Sequence, residues 1–354
     1  MAPSVADVKS SANLDAVVDK VADLKLANKG HSNMSSRDHR IPFYYPYYDV
    51  NEKFPPTEIF EYSDPGLLAD PSKPNLLAPS TKLHHLSPYL GTELSGIQLS
   101  SPLPAGLNEA RALYRRAQGS RIAIARHFGP IQRHPTSGNV KGYPEFHVVY
   151  RDAERDRVVS YRNFGEKVKW TSWHSDVTYE KQTPGTTFFF ILDQPESGGD
   201  TLFTSQVEAY NRLSDSFKAR LIGLRAVHSA VPQAELSARN NGPVRREPVE
   251  TEHPLVRAHP VTGEKALFIN QGFTKSIVGF KKEESDALLG FLFEHIEKGA
   301  DFRVRARYEK GSVVVWDNRV TVHSATPDFD PAQGRRHAVR LTPQAEIPIP
   351  AAET

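Results

Sequence analysis

The sequence has no cysteine among its 354 residues. Disulfides, thiolate-bound zinc and catalysis by a thiol are therefore excluded. A chain of this length buries a core that needs no covalent cross-links. The lack of cysteine fits a reducing compartment, and we expect a cytoplasmic protein.

Long apolar runs and a strong net charge are missing as well. No run of about 18 or more apolar residues occurs, so we expect no membrane-spanning segment. The first residues lack the basic and apolar regions of a secretory signal. The net charge is +2, with acidic and basic residues interspersed, which argues against nucleic acid as a partner. We expect a small-molecule partner, and the sequence is compatible with a homo-oligomer.

Proline and tyrosine distinguish the N-terminal part of the chain. Residues 14–24 carry apolar side chains at helical spacing, which predicts a short amphipathic helix. Residues 41–80 contain eight of the 27 prolines and a cluster of tyrosines. That composition favours an extended segment packed on the body over a helix or a sheet. We therefore predict an N-terminal region at residues 1–80 and a catalytic domain at residues 81–350.

The catalytic domain is predicted to be mainly β with flanking helices. Helical spacing of apolar residues indicates helices at residues 107–117 and 288–296. Strands are indicated at residues 122–126, 186–192, 266–270, 302–308 and 312–316. Within residues 302–308 three arginines alternate with other residues, so we expect the arginines to face solvent. A double-sheet jelly roll, the cupin-like double-stranded β-helix, is the natural closure for these strands.

His174, Asp176 and His323 are the candidate metal ligands. Residues two apart on a strand project to one face, so His174 and Asp176 can reach one ion if their segment is a strand. A later strand can then bring His323. Two histidines and one carboxylate leave open positions on a metal, as in non-haem Fe(II) oxygenases. Surface histidines without a ligand role and a hydrolytic zinc site are the alternative interpretations.

Arg336 and Arg340 are candidate anion-binding residues. On a strand they share one face with Ala338 and lie about 13 Å apart, at a rise of about 3.3 Å per residue. If that face points into a barrel, each guanidinium needs an anion, and its planar fork matches a carboxylate or a sulfonate. Two inward arginines therefore suggest two anionic guests. Structural ion pairs within the protein are the alternative explanation.

Four motifs occur in a fixed order along the chain: WHSDVT at residues 173–178, GGDTL at 198–202, FINQGFT at 268–274 and WDNRVTVH at 316–323. In this order they resemble the taurine dioxygenase (TauD) family of Fe(II)- and 2-oxoglutarate-dependent oxygenases, over residues 81–348. Within the family the chain resembles the fungal sulfonate dioxygenases more closely than the bacterial taurine enzymes, through HPTSG at residues 134–138, PEFH at 144–147 and RRHAVRLTP at 335–343. The resemblance implies the same jelly-roll fold.

The resemblance also implies which residues hold the metal and the co-substrate. His174, Asp176 and His323 match the Fe(II) ligands of the family. Thr201 matches the threonine whose hydroxyl meets 2-oxoglutarate. Arg336 matches the arginine that holds the far carboxylate of that co-substrate.

For the substrate, the resemblance implies a pocket formed by His134, Val177, Phe273 and Arg340, with Arg340 on a sulfonate group. The implied reaction uses O2 to hydroxylate the carbon next to sulfur in a taurine-like organosulfonate. Sulfite and an aldehyde would be released, together with succinate and CO2.

Two positions depart from the pattern of bacterial taurine enzymes. Ser137 stands where those enzymes have a tyrosine, and Trp170 stands where they have an asparagine. The amine end of taurine is then not read in the same way. Two substrate classes stay open: another organosulfonate, or a non-sulfonate such as a sulfate ester, an aryloxy-acid or a secondary-metabolite intermediate. A jelly-roll binding protein with a structural metal is the alternative from another class.

Overall fold

The computed structural model describes residues 45–70, 72–74, 76–77, 79–97, 117–152, 172–326, 328–330 and 334–352. The helices predicted at residues 14–24 and 107–117 lie outside this part, apart from Ala117, as does Trp170. The strands are β1 Lys82–His85, β2 Thr92–Ser95, β3 Asn139–Val140, β4 Tyr143–Arg151, β5 Thr186–Asp193, β6 Thr201–Ser205, β7 Arg225–Ser229, β8 Glu250–Pro254, β9 Val256–Ala258, β10 Lys265–Leu267, β11 Thr274–Ile277, β12 Arg303–Ala306, β13 Val313–Asp317, β14 Thr321–Ala325, β15 Arg336–Leu341 and β16 Ile349–Pro350. The helices are a 3-10 turn at Pro65–Leu68, α1 Ala117–Arg126, α2 Gln206–Asn211, α3 Asp215–Leu221, α4 Val231–Arg239 and α5 Lys282–Lys298.

The functional side chains lie on a five-stranded sheet and a three-stranded sheet. The first has the order β13-β5-β15-β4-β3 and the second the order β12-β6-β14. Every neighbouring pair in them is antiparallel. The predicted mainly-β, double-sheet jelly roll is confirmed.

Aromatic and aliphatic side chains fill the space between these two sheets. Phe189 and Ile191 of β5 and Trp316 of β13 pack against Phe203 of β6 and Val304 of β12. All five side chains are buried. They come from strand positions that point to one face, because side chains alternate along a strand. This core supports the inner surface on which the candidate site is built.

Helix α1 corrects one prediction, because residues 122–126 were expected to form a strand. The alternating Ile122-Ala123-Ile124-Ala125 pattern imitates a strand, but alanine is the best helix former. Ala125 is completely buried, and the guanidinium of Arg121 lies 4.9 Å from the centre of the Phe190 ring of β5. Phe190 alternates with the inward Phe189 and Ile191, so α1 covers the outer face of the five-stranded sheet.

The remaining predicted elements lie close to their expected positions. Helix α5 includes the predicted helix, strand β5 is one residue longer than predicted, and strand β13 is shifted by one residue toward the C-terminus. Strands β10 and β12 are shorter than predicted. In β12 and just after it, Arg305 and Arg307 are exposed and Arg303 is partly buried, so the arginine face is directed mainly outward. No helix in the described ranges is long and apolar enough to cross a membrane.

The described part of the proline-rich segment runs in extended form along the body. Tyr47 and Asn139 exchange two backbone hydrogen bonds of 2.8 and 3.1 Å. The Phe60 backbone N–H donates to Gln182 at 2.8 Å, and the Gln182 amide donates back to the Phe60 carbonyl at 2.9 Å. Asp64 is buried and forms an ion pair with Arg319. The division of the chain at residue 80 stays a prediction.

Candidate active site

His174 and His323 stand side by side across an isolated antiparallel bridge. The backbone N–H of His174 donates to the His323 carbonyl at 3.0 Å, and that of His323 donates to the His174 carbonyl at 2.8 Å. Residues paired in this way project to the same side. Their imidazole rings are accordingly only 4.3 Å apart between centres. Backbone pairing, and not side-chain packing alone, brings the two rings together.

Asp176 reaches the two histidines by a turn, so the strand expected for residues 174–176 is wrong. The chain turns at residues 176–179, and Val177 adopts a φ of +39°. Positive φ is strained for a β-branched residue and is typical of functional sites. The turn places Asp176 Oδ1 3.8 Å from His174 Nε2 and 3.7 Å from His323 Nε2.

The protonation of these three groups suits a divalent metal. The Nδ1 of His174 lies 2.6 Å from the Ser172 carbonyl oxygen, so Nδ1 carries the proton and Nε2 keeps its lone pair. Burial lowers the pKa of His174 and holds the pKa of His323 well below its ordinary value. Burial alone would raise the pKa of Asp176, but the neighbouring Arg340 guanidinium outweighs burial and lowers that pKa. One ligand atom from each of the three residues lies within 4.8 Å of the others, and two neutral imidazoles with one carboxylate are a fitting donor set.

A buried hydrogen-bond network fixes the carboxylate of Asp176. Asn318 accepts from the Asp176 backbone N–H at 3.0 Å and from the Trp316 indole at 3.1 Å. Its amide donates to the Thr187 hydroxyl at 2.6 Å, and that hydroxyl donates to Asp176 Oδ2 at 3.3 Å. Trp316 also packs against the His323 ring, with ring centres 5.0 Å apart. Sequence reasoning gave Asn318 and Thr187 no role, although Asn318 stands inside the WDNRVTVH motif.

Arg336 and Thr201 form a second polar centre between the two sheets. The Nε of Arg336 donates to the Gly199 carbonyl at 2.7 Å, and Nη2 lies 3.4 Å from the Thr201 hydroxyl. Gly199 has a φ of +68°, which a side chain rarely adopts, so glycine suits this close approach. Arg336 is buried, and within the described chain no carboxylate forms an ion pair with it. A guanidinium in this state fits an incoming carboxylate.

Arg340 lies four residues further along β15, on the same face. Its Nη1 donates to Asp176 Oδ1, and its Nη2 donates to His147 Nδ1 at 2.8 Å. The His134 ring packs against the His147 ring, with centres 4.6 Å apart. The structure thus brings Arg340 and His134 together, as expected from the sequence, and adds His147, to which sequence reasoning gave no role.

Phe273 and Val177 form an apolar wall next to His174. They pack in one buried cluster with Tyr179 and Ala230. The Phe273 and His174 ring centres are 6.0 Å apart, with the rings nearly perpendicular. All nine residues singled out from the sequence therefore lie in two groups. Arg336 and Thr201 form one group, and the other seven residues lie around Asp176 and Arg340.

The departure at Ser137 has a specific structural setting. The backbone N–H of Ser137 donates to His134 Nδ1 at 3.1 Å, and that of Thr136 donates to the same atom at 3.3 Å. The carbonyl of Ser137 accepts from Arg245 at 2.7 Å. The backbone around Ser137 therefore orients His134.

Residues 82–342 match the model of the family described as taurine catabolism dioxygenase TauD, TfdA family. The chain belongs to this family. The alpha-ketoglutarate-dependent dioxygenase cnsM of Penicillium expansum is 44% identical over 328 residues, which are 87% of this chain and 90% of the relative. An alpha-ketoglutarate-dependent sulfonate dioxygenase of Saccharomyces cerevisiae is 39% identical over 330 residues, 88% of this chain and 79% of the relative.

A solved structure of a taurine dioxygenase from Burkholderia xenovorans is similar in fold, with a TM-score of 0.60 and 33% identity. The similarity covers 77% of this chain and 93% of that chain. Membership of a dioxygenase family confirms the resemblance stated from the motifs. A binding protein with a structural metal is disfavoured, because the candidate ligands and Arg336 are all in place.

Proposed function

We propose that this TauD-family chain is an Fe(II)- and 2-oxoglutarate-dependent dioxygenase that acts on an organosulfonate. The observation that carries the proposal is β15, which presents two buried arginines on one face. Arg340 contacts the metal-ligand candidate Asp176, and Arg336 contacts Thr201. A site with one metal centre and two anion-binding arginines suits an anionic co-substrate together with an anionic substrate. The yeast relative, named a sulfonate dioxygenase, supports this substrate class.

His174, Asp176 and His323 would hold the iron through two Nε2 atoms and one carboxylate. Bound Fe(II), with 2-oxoglutarate and O2, would supply the oxidation that hydroxylates the carbon next to sulfur and yields succinate and CO2. The hydroxylated product loses sulfite and leaves an aldehyde. The network of Asn318 and Thr187 keeps the Asp176 carboxylate in place.

The other residues would bind and orient the two small molecules. Arg336 and Thr201 would fix the far carboxylate of 2-oxoglutarate, and Arg340 and His134 would fix the sulfonate. Phe273 and Val177 would exclude water from the side of the pocket next to His174. The protein's part is placement of one C–H bond, since the oxidising chemistry belongs to the cofactor. The cytoplasm stays our expectation for its location.

A second candidate is the same oxidation of a non-sulfonate substrate, such as a sulfate ester, an aryloxy-acid or a secondary-metabolite intermediate. Ser137 favours it, because a serine replaces the tyrosine of bacterial taurine enzymes and its backbone forms hydrogen bonds with His134 and Arg245. The cnsM relative also favours it, since that name gives no sulfonate and the identity is the higher of the two. Both candidates keep the same iron and co-substrate sites.

The test is sulfite and succinate release by the purified protein with Fe(II), 2-oxoglutarate and O2. The substrates are taurine, isethionate, longer alkylsulfonates and sulfate esters. Equal amounts of sulfite and succinate from one sulfonate are the expected result. Succinate without sulfite would support the second candidate, and no substrate-dependent succinate from any compound would contradict the oxygenase itself.

His134→Ala checks the substrate half of the site. We expect a higher KM for the sulfonate and an unchanged KM for 2-oxoglutarate, because His134 packs beside Arg340's partner His147 and not beside Arg336. Steady-state kinetics with each substrate varied in turn measures the two constants. An equal rise in both would contradict the assigned role.

A further inference from the structure

His147 lies directly opposite Arg340 in the five-stranded sheet. Residues opposite each other in an antiparallel pair point to the same face. Arg340 points to Asp176, so His147 also points into the space between the sheets. His147 is partly exposed whereas its neighbours Phe146 and Val148 are buried. Its side chain therefore borders the opening of the candidate site.

One hydrogen bond fixes the tautomer of His147. A guanidinium has only N–H donors, so the Arg340 Nη2 group donates and His147 Nδ1 accepts at 2.8 Å. In the neutral ring the proton must then be on Nε2. Within the described chain this Nε2–H has no hydrogen-bond acceptor.

The same reasoning fixes the tautomer of His134. Two backbone N–H groups, those of Thr136 and Ser137, donate to His134 Nδ1. The His134 proton is therefore on Nε2 as well, and the described residues offer this Nε2–H no acceptor either. Burial lowers the pKa of His134 to about 3 and holds the pKa of His147 well below its ordinary value, so both rings are neutral at pH 7.

Three N–H donors of this cluster consequently have no acceptor among the described residues: Nε2–H of His134, Nε2–H of His147 and Nε–H of Arg340. Of these, the Arg340 Nε–H is buried without a partner. An unpaired buried donor costs about 1–3 kcal/mol. A purely structural cluster would leave that cost uncompensated. An anion with several oxygen atoms removes it, because sulfonate oxygens only accept hydrogen bonds.

We propose that His147 donates a hydrogen bond from Nε2 to the anionic group of the substrate, beside His134 and Arg340. This inference rests on the proposed function, in which Arg340 and His134 bind the sulfonate. It makes His147 a specificity-determining residue that contacts the substrate. It also gives the sulfonate, with its three oxygens, three separate side chains that donate to it.

Three variants separate the two nitrogen atoms of His147. His147→Gln places an amide N–H near the position of Nε2, and His147→Asn places an amide oxygen near that of Nδ1. His147→Leu removes both polar atoms. We would titrate each protein with 1-butanesulfonate by calorimetry, in the presence of Fe(II) and 2-oxoglutarate and without O2. The 2-oxoglutarate affinity and the melting temperature are the controls for folding.

We expect His147→Leu to weaken sulfonate binding by about 10- to 100-fold, the range for a hydrogen bond to a charged group. We expect His147→Asn to be similarly weak and His147→Gln to stay within about 5-fold of the wild type. Leu binding like wild type, Asn binding like wild type, or Gln as weak as Leu would each overturn the proposal. The second of these outcomes would mean that His147 only positions Arg340.

Binding and turnover distinguish this inference from the proposed function. If the wild-type protein binds butanesulfonate through His147 but releases no sulfite from any sulfonate, the proposed function is wrong and the inference about His147 stands. Sulfite release by a protein whose sulfonate binding does not depend on His147 would retain the proposed function and overturn the inference about His147. A wild type that binds no sulfonate overturns both.

Discussion

Gly272→Ala should damage the metal site through a contact with His174. Gly272 lies in the loop between β10 and β11, and its backbone N–H donates to the Trp173 carbonyl at 3.1 Å. A Cβ at this position would lie 2.9 Å from the Cβ of His174. Ordinary contacts between carbon atoms are about 3.5–4.0 Å. One of the two backbones must therefore move by about 0.6 Å or more.

Neither side of this contact can yield freely. His174 is fixed by its two backbone hydrogen bonds to His323 and by the bond of its ring to Ser172. The loop is fixed because the Phe273 N–H donates to Asn270 Oδ1 at 2.9 Å and its carbonyl accepts from Ser229 at 2.8 Å. Metal sites tolerate errors of only about 0.2 Å in ligand distance. We expect about 10-fold or more loss of metal affinity, with about 1–3 kcal/mol of stability lost to overpacking.

Calorimetric titration with Fe(II) under anaerobic conditions measures the metal affinity, and thermal melting of the metal-free protein measures stability. Gly290→Ala is the matched control, since Gly290 lies in α5 and nothing stands within 4 Å of its added Cβ. That variant should gain about 0.5–1 kcal/mol, the usual effect of alanine in a helix interior, and bind metal normally. A Gly272→Ala protein with wild-type metal affinity would show that the loop moves instead of His174, and would refute the argument.

Two further predictions concern the co-substrate and the response to pH. Arg336→Lys keeps the charge and loses the planar fork, so the KM for 2-oxoglutarate should rise about 10- to 100-fold while anaerobic sulfonate binding measured with saturating 2-oxoglutarate stays unchanged. Burial lowers the pKa of His253 to about 4, whereas an unfolded histidine titrates near about 6.5. The unfolded chain thus binds one more proton between these values, and about 3 kcal/mol of stability should disappear as pH falls through that window. Denaturation of wild type and His253→Gln at pH 7.5 and 4.5 tests this, because the variant should lose less stability.

The strand that carries both arginines could be predicted from the sequence. Arg336, Ala338 and Arg340 are two apart. That period of two persists in the folded strand, where all six residues of β15 are buried and residues 337–340 are paired with strands on both sides. That the two arginines share one face follows from that period alone. What each arginine touches does not, since Gly199, Thr201, Asp176 and His147 are distant in sequence.

The metal-ligand candidates were identified by residue type, but the expected geometry was wrong. A period of two was assumed for His174 and Asp176, whereas the chain turns at Asp176 with Val177 at positive φ. No propensity predicts positive φ at a valine, because the strain is held by surrounding structure such as the Asn318 hydrogen bond. Helix α1 was mistaken for a strand for a simpler reason, an alternating pattern over only four residues.

Asn318 and His147 show why part of the site could not be found from the sequence. Asn318 acts 142 positions from Asp176, and His147 acts 193 positions from Arg340. Their partners are set by cross-strand register and by loop packing, which one sequence does not reveal. Both residues lie inside recognisable motifs, but a motif does not say which atom a side chain meets.

The two arginines of β15 differ in how their charge is compensated, and this difference explains the composition of the site. Arg336 meets a carbonyl, a hydroxyl and the face of Phe189 at 5.6 Å, so in the proposed site a guest carboxylate would supply its counter-charge. Arg340 already has the carboxylate of Asp176, and a second anion there must overcome repulsion from that carboxylate. Additional neutral N–H donors offset this repulsion without adding charge. Two neutral histidines at the Arg340 end therefore have a physical reason that the Arg336 end lacks.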